Sequence, residues 1–201
     1  LIKRGGMGAV FEAHQRSLGG RSVAIKFILA PHKDCDSVER FQREAKAVAG
    51  LRHPNIVQVF DFDTYDGHPY IVMEYLKGAA LSTYLQALHN NELKLSLEQI
   101  GKLLKSLVAG LDYAHAQGVI HRDIKPANIL LHGKNGDFTE NSLLTKHVEP
   151  VITDFGLARI AHSGKQTASG FVSGTPAYMS PEQASGSKVD HRTDIYSLGI
   201  I

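Results

Sequence analysis

Two segments of this chain place acidic and amide side chains directly after apolar runs. Residues 121–128, His-Arg-Asp-Ile-Lys-Pro-Ala-Asn, follow Gly-Val-Ile, and residues 151–156, Val-Ile-Thr-Asp-Phe-Gly, end a second apolar run at a carboxylate. The carboxylates of Asp123 and Asp154 and the amide of Asn128 could supply oxygen ligands to Mg²⁺, a hard cation that also binds phosphate oxygens. A solvated charged loop is the alternative, but such loops seldom begin and end so abruptly in apolar sequence. The pattern favours a site for Mg²⁺ and phosphate.

A glycine cluster, Gly-Gly-Met-Gly at residues 5–8, lies between two strand-like pieces. Glycines let backbone N–H groups approach phosphates closely because no Cβ stands in the way. The cluster is neither a P-loop nor a dinucleotide-binding fingerprint, since a strand and not a helix follows it. A tight hairpin explains such a cluster equally well, so the residues alone leave both interpretations open.

A lysine and a glutamate are each placed among apolar neighbours. Lys26 ends the strand-like run Val-Ala-Ile-Lys, and Glu44 shares a helical stripe with Phe41 and Val48. An equally common alternative is that Lys26 lies on an edge strand and its ammonium group reaches water. Because a buried unpaired charge is strongly destabilising, we expect Lys26 and Glu44 to form an ion pair that holds the lysine where phosphates arrive.

The elements that would position these side chains change character along the chain. The first part is strand-like around one amphipathic helix, and a long apolar stripe at helical spacing follows after residue 78. Strands first and helices later predict a two-lobed α+β domain. We predict strands at 10–13, 22–28, 55–60, 70–75, 129–131 and 151–153, helices at about 37–50 and around 100–111, a turn at 66–67 and a loop over 163–187.

Composition excludes several classes of protein. The 201 residues contain 22 Lys and Arg against 20 Asp and Glu, so a formal charge of +2 gives no argument for nucleic-acid binding. One cysteine, Cys35, cannot form an internal disulfide and fits a reducing compartment. No run of 18 apolar residues and no signal peptide occur, so we expect a cytoplasmic chain, with membrane anchoring of its parent outside this segment as an alternative.

The two ends predict a fragment. The chain opens at Leu1 and stops at Ile201, inside the apolar run of residues 195–201. A natural terminus rarely falls within a hydrophobic element. We therefore expect both ends to be truncated and the isolated fragment to be inactive.

Five motifs occur in the order of the protein-kinase signature set: the glycine-rich loop, Val-Ala-Ile-Lys, His-Arg-Asp-Ile-Lys-Pro-Ala-Asn, Asp-Phe-Gly and Ser-Pro-Glu at 180–182. The chain resembles bacterial Ser/Thr protein kinases in particular, through residues 5–10, 178–184 and 194–199. The resemblance covers the whole chain. It implies a single kinase domain with a β-rich N-lobe and hinge at 1–76 and an incomplete, mainly helical C-lobe at 77–201.

The resemblance implies ATP and Mg²⁺ as cofactors, with Mn²⁺ as an alternative metal. Gly5 and Gly8 would cover the phosphates, Lys26 would hold the α- and β-phosphates, and Glu44 would orient Lys26. An apolar sandwich around adenine, a gatekeeper and two hinge backbones complete the expected site. They are Ile2, Val10, Ala24 and Leu130 for the sandwich, Met73 for the gatekeeper, and Glu74 and Leu76 for the hinge.

The same resemblance assigns the reacting groups. Asp123 would accept the proton of the substrate hydroxyl, Lys125 would steady the γ-phosphate, and Asn128 and Asp154 would bind the metal. Lys125, two residues after Asp123, and the Gly-Thr pair at 174–175 are typical of Ser/Thr kinases and differ in tyrosine kinases.

An activation loop is implied between residues 154 and 182. Thr167 and Ser169 are placed like the paired autophosphorylation sites of bacterial relatives, and Arg122 and Arg159 would receive a phosphate. Thr175 would contact Asp123 and Lys125 and remain unmodified.

The resemblance also implies a packed cluster of side chains, and the chain departs from the family pattern in places. A hydrophobic stack is implied for Val48, Val59, His121 and Phe155, anchored by Asp194. Lys3 replaces the first glycine of the loop pattern, and Ser180 stands where many kinases have alanine. A polar excess at 132–149 is expected to be a surface insertion between two short strands.

Two alternatives to an active protein kinase share the fold. A pseudokinase or scaffold usually loses the strand lysine or one of the two acids, and this chain keeps all three. A small-molecule phosphotransferase would not need a long loop that positions a peptide. We therefore expect ATP and proteins with Ser or Thr as partners, no nucleic acid, and a kinase dimer as a candidate state for autophosphorylation.

Overall fold

A computed structural model of the chain describes residues 1–5, 8–16, 19–28, 35–133, 148–155 and 176–201, with the backbone alone at 35–41. The chain divides into two compact units. The first contains Leu1–Arg52 and Gln58–Tyr75, and the second contains His53–Val57, Leu76–Phe155 and Gly174–Ile201. The assignment of 1–76 and 77–201 to two lobes of one domain stays a prediction.

The first unit is an antiparallel five-stranded sheet with one helix, in the strand order β1-β2-β3-β5-β4. Its helix begins two residues before the predicted start. The elements are β1 Lys3–Gly5, β2 Gly8–Gln15, β3 Arg21–Ile28, α1 Cys35–Ala49, β4 Val59–Tyr65 and β5 His68–Glu74.

Turn chemistry sets the β4–β5 hairpin. Tyr65 pairs with His68, so the loop has two residues, Asp66 and Gly67, with φ of 49° and 73°. Two positive φ angles match the twist of the flanking strands, and Asp-Gly is among the sequences that adopt them most readily. The predicted turn at 66–67 is confirmed.

Gly8 is required by close backbone approach. It pairs with Ile28 at a φ of 143°, and a Cβ built there would lie 1.8 Å from the carbonyl oxygen of Phe27. A side chain at this position would therefore separate β2 from β3. Gly5 pairs with Gly8 across the antiparallel strands β1 and β2, which supports the hairpin interpretation of the glycine cluster, and that interpretation is compatible with phosphate binding.

The second unit combines a three-stranded antiparallel sheet, in the order β6-β7-β8, with helices. Its longest helix contains the predicted stripe and begins at a capping box in which Ser96 and Gln99 bond reciprocally. The elements are β6 Gly78–Ala80, α2 Leu81–Asn90, α3 Leu97–Ala116, β7 Ile129–Gly133, β8 Val148–Ile152, α4 Pro181–Ala184 and α5 Arg192–Ile200, with 3₁₀ turns at Pro126–Asn128 and Pro176–Tyr178.

The predicted strand at 55–60 is wrong over its first four residues. β4 begins only at Val59. The preceding apolar residues belong to the second unit, where the N–H of Val57 donates to the carbonyl of Ile152 and the N–H of Ile152 donates to the carbonyl of Asn55. Burial against β8, and not membership of the first sheet, explains why this run is apolar.

Regular structure occupies part of the predicted insertion at 132–149 and part of the predicted loop at 163–187. His132 pairs with Glu149 and Gly133 with Val148, so these four residues extend the β7–β8 hairpin. Residues 134–147 lie outside the described part of the chain. The predicted loop over 163–187 contains the 3₁₀ turn at 176–178 and α4, and its residues before 176 are not described.

Among the helices of the described residues, none combines the length and the apolar character needed to cross a bilayer.

Candidate active site

A buried carboxylate organises the segment that carries Asp123. Asp194, near the start of α5, is 0% exposed and accepts the backbone N–H of His121 at 2.8 Å and that of Arg122 at 2.7 Å. The Nε2 atom of His115 lies 2.7 Å from the same carboxylate. Burial alone would raise the pKa of Asp194, but the bond from His115, the electrostatic interaction with His121 and the two backbone N–H bonds together outweigh it, and the pKa lies below the ordinary value.

The ring of His121 is held at both nitrogens. Its Nδ1 accepts the N–H of Asp123 at 3.1 Å, and its Nε2 lies 2.8 Å from the carbonyl oxygen of Thr153. An amide N–H can only donate and a carbonyl can only accept, so Nδ1 is the accepting nitrogen and Nε2 carries a proton. Its ring packs on Phe155 with centroids 4.6 Å apart. Two members of the predicted stack therefore meet in the second unit.

The carboxylate of Asp123 is bound from two sides. Lys125 Nζ lies 2.9 Å from Oδ1 and 2.8 Å from Oδ2, and Asn128 Nδ2 donates to Oδ2 at 2.8 Å. The side chains of Lys125 and Asp123 are 13% and 17% exposed, so the pair is largely shielded but reachable from solvent. The carboxylate is held in one orientation and keeps a route to a reacting group.

Asn128 and Asp154 are joined through the intervening Thr153. The carbonyl oxygen of Asn128 accepts both the N–H of Thr153 at 2.9 Å and its hydroxyl at 3.1 Å. Asp154 follows at once, with a φ of 66° in the left-handed region that residues other than glycine rarely adopt. The structure thus brings the segment of Asp123, Lys125 and Asn128 together with the backbone of Asp154.

The donor chemistry here fits Mg²⁺. Asn128 Nδ2 faces the carbonyl oxygen and the carboxylate of Asp123, both acceptors, which leaves Oδ1 as the amide atom available to a cation. A carboxylate at Asp154 adds a second hard oxygen donor. Magnesium is usually bound by one or two such groups together with phosphate oxygens and water. No cluster of three or more His, Cys, Asp or Glu side chains suited to a metal occurs within the described ranges.

The residues expected to contact ATP in the first unit share one sheet face. Ala24 pairs with Met73 and Lys26 with Val10, and residues directly opposite each other in a sheet point to the same side. Lys26 is 5% exposed and Glu44 is half-buried.

The remaining residues expected to contact ATP lie at strand ends or in the second unit. The backbone N–H of Ile2 donates to the carbonyl oxygen of Val10 at 2.8 Å. Gly5 ends β1, Glu74 ends β5, and Leu76 and Leu130 belong to the second unit.

Several predictions fall on residues that the structure does not describe. They concern the activation loop: Arg159, Thr167, Ser169 and Thr175. Arg122 is described, with φ of 67° and its backbone N–H on Asp194. The predicted pairing of Lys26 with Glu44 stays a prediction.

Sequence reasoning missed Thr153, His115, Gln183 and Thr193. Thr153 is a small polar residue within an apolar run, and nothing in its spacing separates it from an ordinary strand residue. Gln183 carried a usable signal, because a serine followed three residues later by glutamine is a capping-box pattern.

Comparison with known proteins agrees with this geometry. The model of the protein kinase domain family matches residues 1–201. Serine/threonine-protein kinase pkn3 of Myxococcus xanthus is 41% identical over 209 residues, which is 100% of this chain and 35% of the relative. Serine/threonine-protein kinase PknA of Mycobacterium tuberculosis is 37% identical over 207 residues, which is 100% of this chain and 44% of the relative.

Solved structures give the same result. The crystal structure of the Mycobacterium tuberculosis PknI kinase domain matches with a TM-score of 0.70 and 28% identity, over 98% of this chain and 68% of that one. The fold and the site thus define a protein kinase domain. The chain belongs to the protein kinase family, as the sequence predicted, and it spans less than half the length of the two full-length relatives, pkn3 and PknA.

Proposed function

We propose that the protein is an ATP-dependent Ser/Thr protein kinase that transfers the γ-phosphate of Mg·ATP to Ser and Thr hydroxyls of proteins. The observation that carries this proposal is the fixed carboxylate of Asp123, bound by Lys125 and Asn128 and reachable from solvent. Most of phosphoryl-transfer catalysis is positioning and charge stabilisation, and this arrangement supplies both.

Asp123 takes the role of base in this proposal. It accepts the proton of the substrate hydroxyl as the hydroxyl oxygen bonds to the γ-phosphorus. The bond from that phosphorus to the oxygen it shares with the β-phosphate breaks, and ADP leaves with that oxygen. Lys125, already beside Asp123, provides a positive charge for the transferred phosphoryl group.

Asn128 and Asp154 would hold Mg²⁺, which when bound offsets negative charge on the phosphate oxygens. The bonds from Thr153 to the carbonyl oxygen of Asn128 support this assignment, because they fix the spacing of the two residues before any ligand arrives. Such preorganisation reduces the reorganisation needed when the metal binds.

Nucleotide binding would use the shared sheet face of the first unit. Lys26 lies on that face with Val10, Ala24 and Met73, so one charged head stands among apolar side chains. This is the composition of a pocket for a flat base with phosphates attached. Gly5, Gly8, Ile2, Glu44, Glu74, Leu76 and Leu130 are assigned to the same nucleotide by resemblance to the family.

Regulation is proposed for the activation loop. Phosphate on Thr167 or Ser169 would bring about −1.5 to −2 charges, which Arg122 and Arg159 would bind. Autophosphorylation between two kinase molecules would supply that phosphate, and the bound form would order the loop for a peptide substrate.

The deciding experiment is transfer of label from [γ-³²P]ATP by the full-length protein to a generic protein substrate, next to Asp123→Asn. Labelled phosphoserine or phosphothreonine from wild type, absent with the mutant, supports the proposal. Nucleotide binding without labelled protein would favour a pseudokinase, and label appearing only on small hydroxyl compounds would favour a small-molecule phosphotransferase.

A further inference from the structure

The peptide group between Arg122 and Asp123 is bound at both of its polar atoms. Its N–H, which belongs to Asp123, donates to His121 Nδ1 at 3.1 Å. Its carbonyl oxygen, which belongs to Arg122, accepts Gln183 Nε2 at 2.7 Å. The plane of this peptide group sets the direction in which the Asp123 side chain leaves the backbone.

The backbone at this point needs such support. Arg122 has a φ of 67°, in the left-handed region, and conformations of this kind persist only where the surroundings hold them. The N–H of Arg122 is bound by Asp194, but that bond fixes the preceding peptide group. On the carbonyl side of Arg122, the bond from Gln183 restrains the peptide group together with the bond from the Asp123 N–H to His121 Nδ1.

The orientation of the Gln183 amide is set by its other partners. Its Oε1 faces the backbone N–H of Ser180 at 3.3 Å and accepts the hydroxyl of Thr193 at 2.7 Å. A backbone N–H only donates, so the atom facing it is the oxygen, and Nε2 must face Arg122. Ser180 and Thr193 are fully buried, so water does not compete for these bonds.

We infer that Gln183 is a positioning residue for phosphoryl transfer: its amide fixes the Arg122–Asp123 peptide group and thereby the aim of the Asp123 carboxylate. This inference rests on the proposed kinase function. Gln183 also closes the capping box of α4 with Ser180. The start of that helix and the catalytic segment are thus held by one side chain.

The test uses the full-length protein with Gln183→Met, which keeps the length of the side chain and removes its donor. The single-turnover rate of phosphoryl transfer should fall about tenfold to a hundredfold, because displacement of a reacting group by about 1 Å can cost a hundredfold. The affinity for Mg·ADP and the fraction of active enzyme, measured as burst amplitude, should stay at the wild-type level. Gln183→Glu, which places an oxygen against the Arg122 carbonyl, should be at least as slow.

Gln99→Met is the matched control. Gln99 closes the equivalent capping box with Ser96 at the start of α3, with reciprocal bonds of 2.8 and 3.2 Å. It should therefore lose a comparable cap without losing rate. A Gln183→Met rate within twofold of wild type overturns the inference, and so does a loss found only in the burst amplitude, which a merely structural role would produce. If wild type itself transfers no phosphate to protein, the proposed function fails and this inference fails with it.

Discussion

The side-chain nitrogen of Asn128 donates to both the backbone carbonyl oxygen and the carboxylate Oδ2 of Asp123, each at 2.8 Å. One amide therefore fixes the position of the acid, and its remaining oxygen is left for a cation. In the proposed mechanism the base and the metal are coupled through this residue. Changes at Asn128 should consequently disturb both, whereas changes at Asp123 or Asp154 should be separable.

The two acids should fail in different ways. Asp154→Asn should weaken Mg²⁺-dependent nucleotide binding, because it removes a charged ligand of the metal, whereas Asp123→Asn should spare that binding and lose rate. Titration of each full-length variant with Mg·ATP, beside single-turnover kinetics, separates the two effects. Equal loss of Mg·ATP affinity in both variants would contradict this division of roles.

Lys26→Met should abolish phosphoryl transfer while leaving some nucleotide binding. Lost positioning and lost charge stabilisation together should lower kcat by about a hundredfold or more. Lys102→Met is a suitable control, since Lys102 is 67% exposed and its bond to Glu98 lies within one turn of α3. Near wild-type turnover in the Lys26→Met variant would show that the assignment of Lys26 to the phosphates is wrong.

Asp194→Asn should destabilise the second unit. An amide oxygen replaces one carboxylate oxygen, and the amide nitrogen meets N–H groups that can only donate, so at least one buried donor loses its acceptor. The expected loss is about 1–3 kcal/mol in the free energy of unfolding, measured by urea denaturation of the full-length protein. Asp190→Asn is the control: its bonds to Arg192 are exposed, and little change should follow. A tolerant Asp194→Asn variant would show that the carboxylate is dispensable.

Asp194 should also contribute to acid unfolding. Its folded pKa lies below its ordinary value, because the bond from His115, the electrostatic interaction with His121 and the backbone bonds together outweigh the effect of burial. The sign follows from linkage: the contribution is complete above the unfolded pKa of about 3.9 and is lost as pH falls through the folded pKa. Urea midpoints measured from about pH 6 to pH 3 should therefore fall less steeply in Asp194→Asn than in wild type. Parallel curves would rule this contribution out.

Activation should depend on the two hydroxyls of the loop. After incubation of the full-length protein with Mg·ATP, mass spectrometry should find phosphate on Thr167 or Ser169, and the double variant Thr167→Ala, Ser169→Ala should be less active, because the arginines then lack their ligand. Thr175 should stay unmodified. If neither site gains phosphate, or if the double variant matches wild type, this loop is not the switch.

The sequence by itself determined the family, the α+β class and most elements. The stripe at 100–111 predicted α3, and Asp-Gly at 66–67 predicted the hairpin turn, because helical periodicity and positive φ are local properties that side chains encode directly. The candidate roles of Asp123 and Asp154 in the site could also be predicted from sequence, since charged groups at the ends of apolar runs are conspicuous.

Only the tertiary structure decided how those acids are held. Residues 55–57 look like a strand of the first sheet but bond to β8, because an apolar run indicates burial and not the partner against which it is buried. Thr153, Asp194 and Gln183 are 30, 71 and 60 residues from Asp123 along the chain, yet Thr153 bonds the ring of His121, and Asp194 and Gln183 bond the peptide groups next to Asp123. Hydrogen bonds between such distant residues depend on where folding places each backbone group, and no spacing along the sequence contains that information.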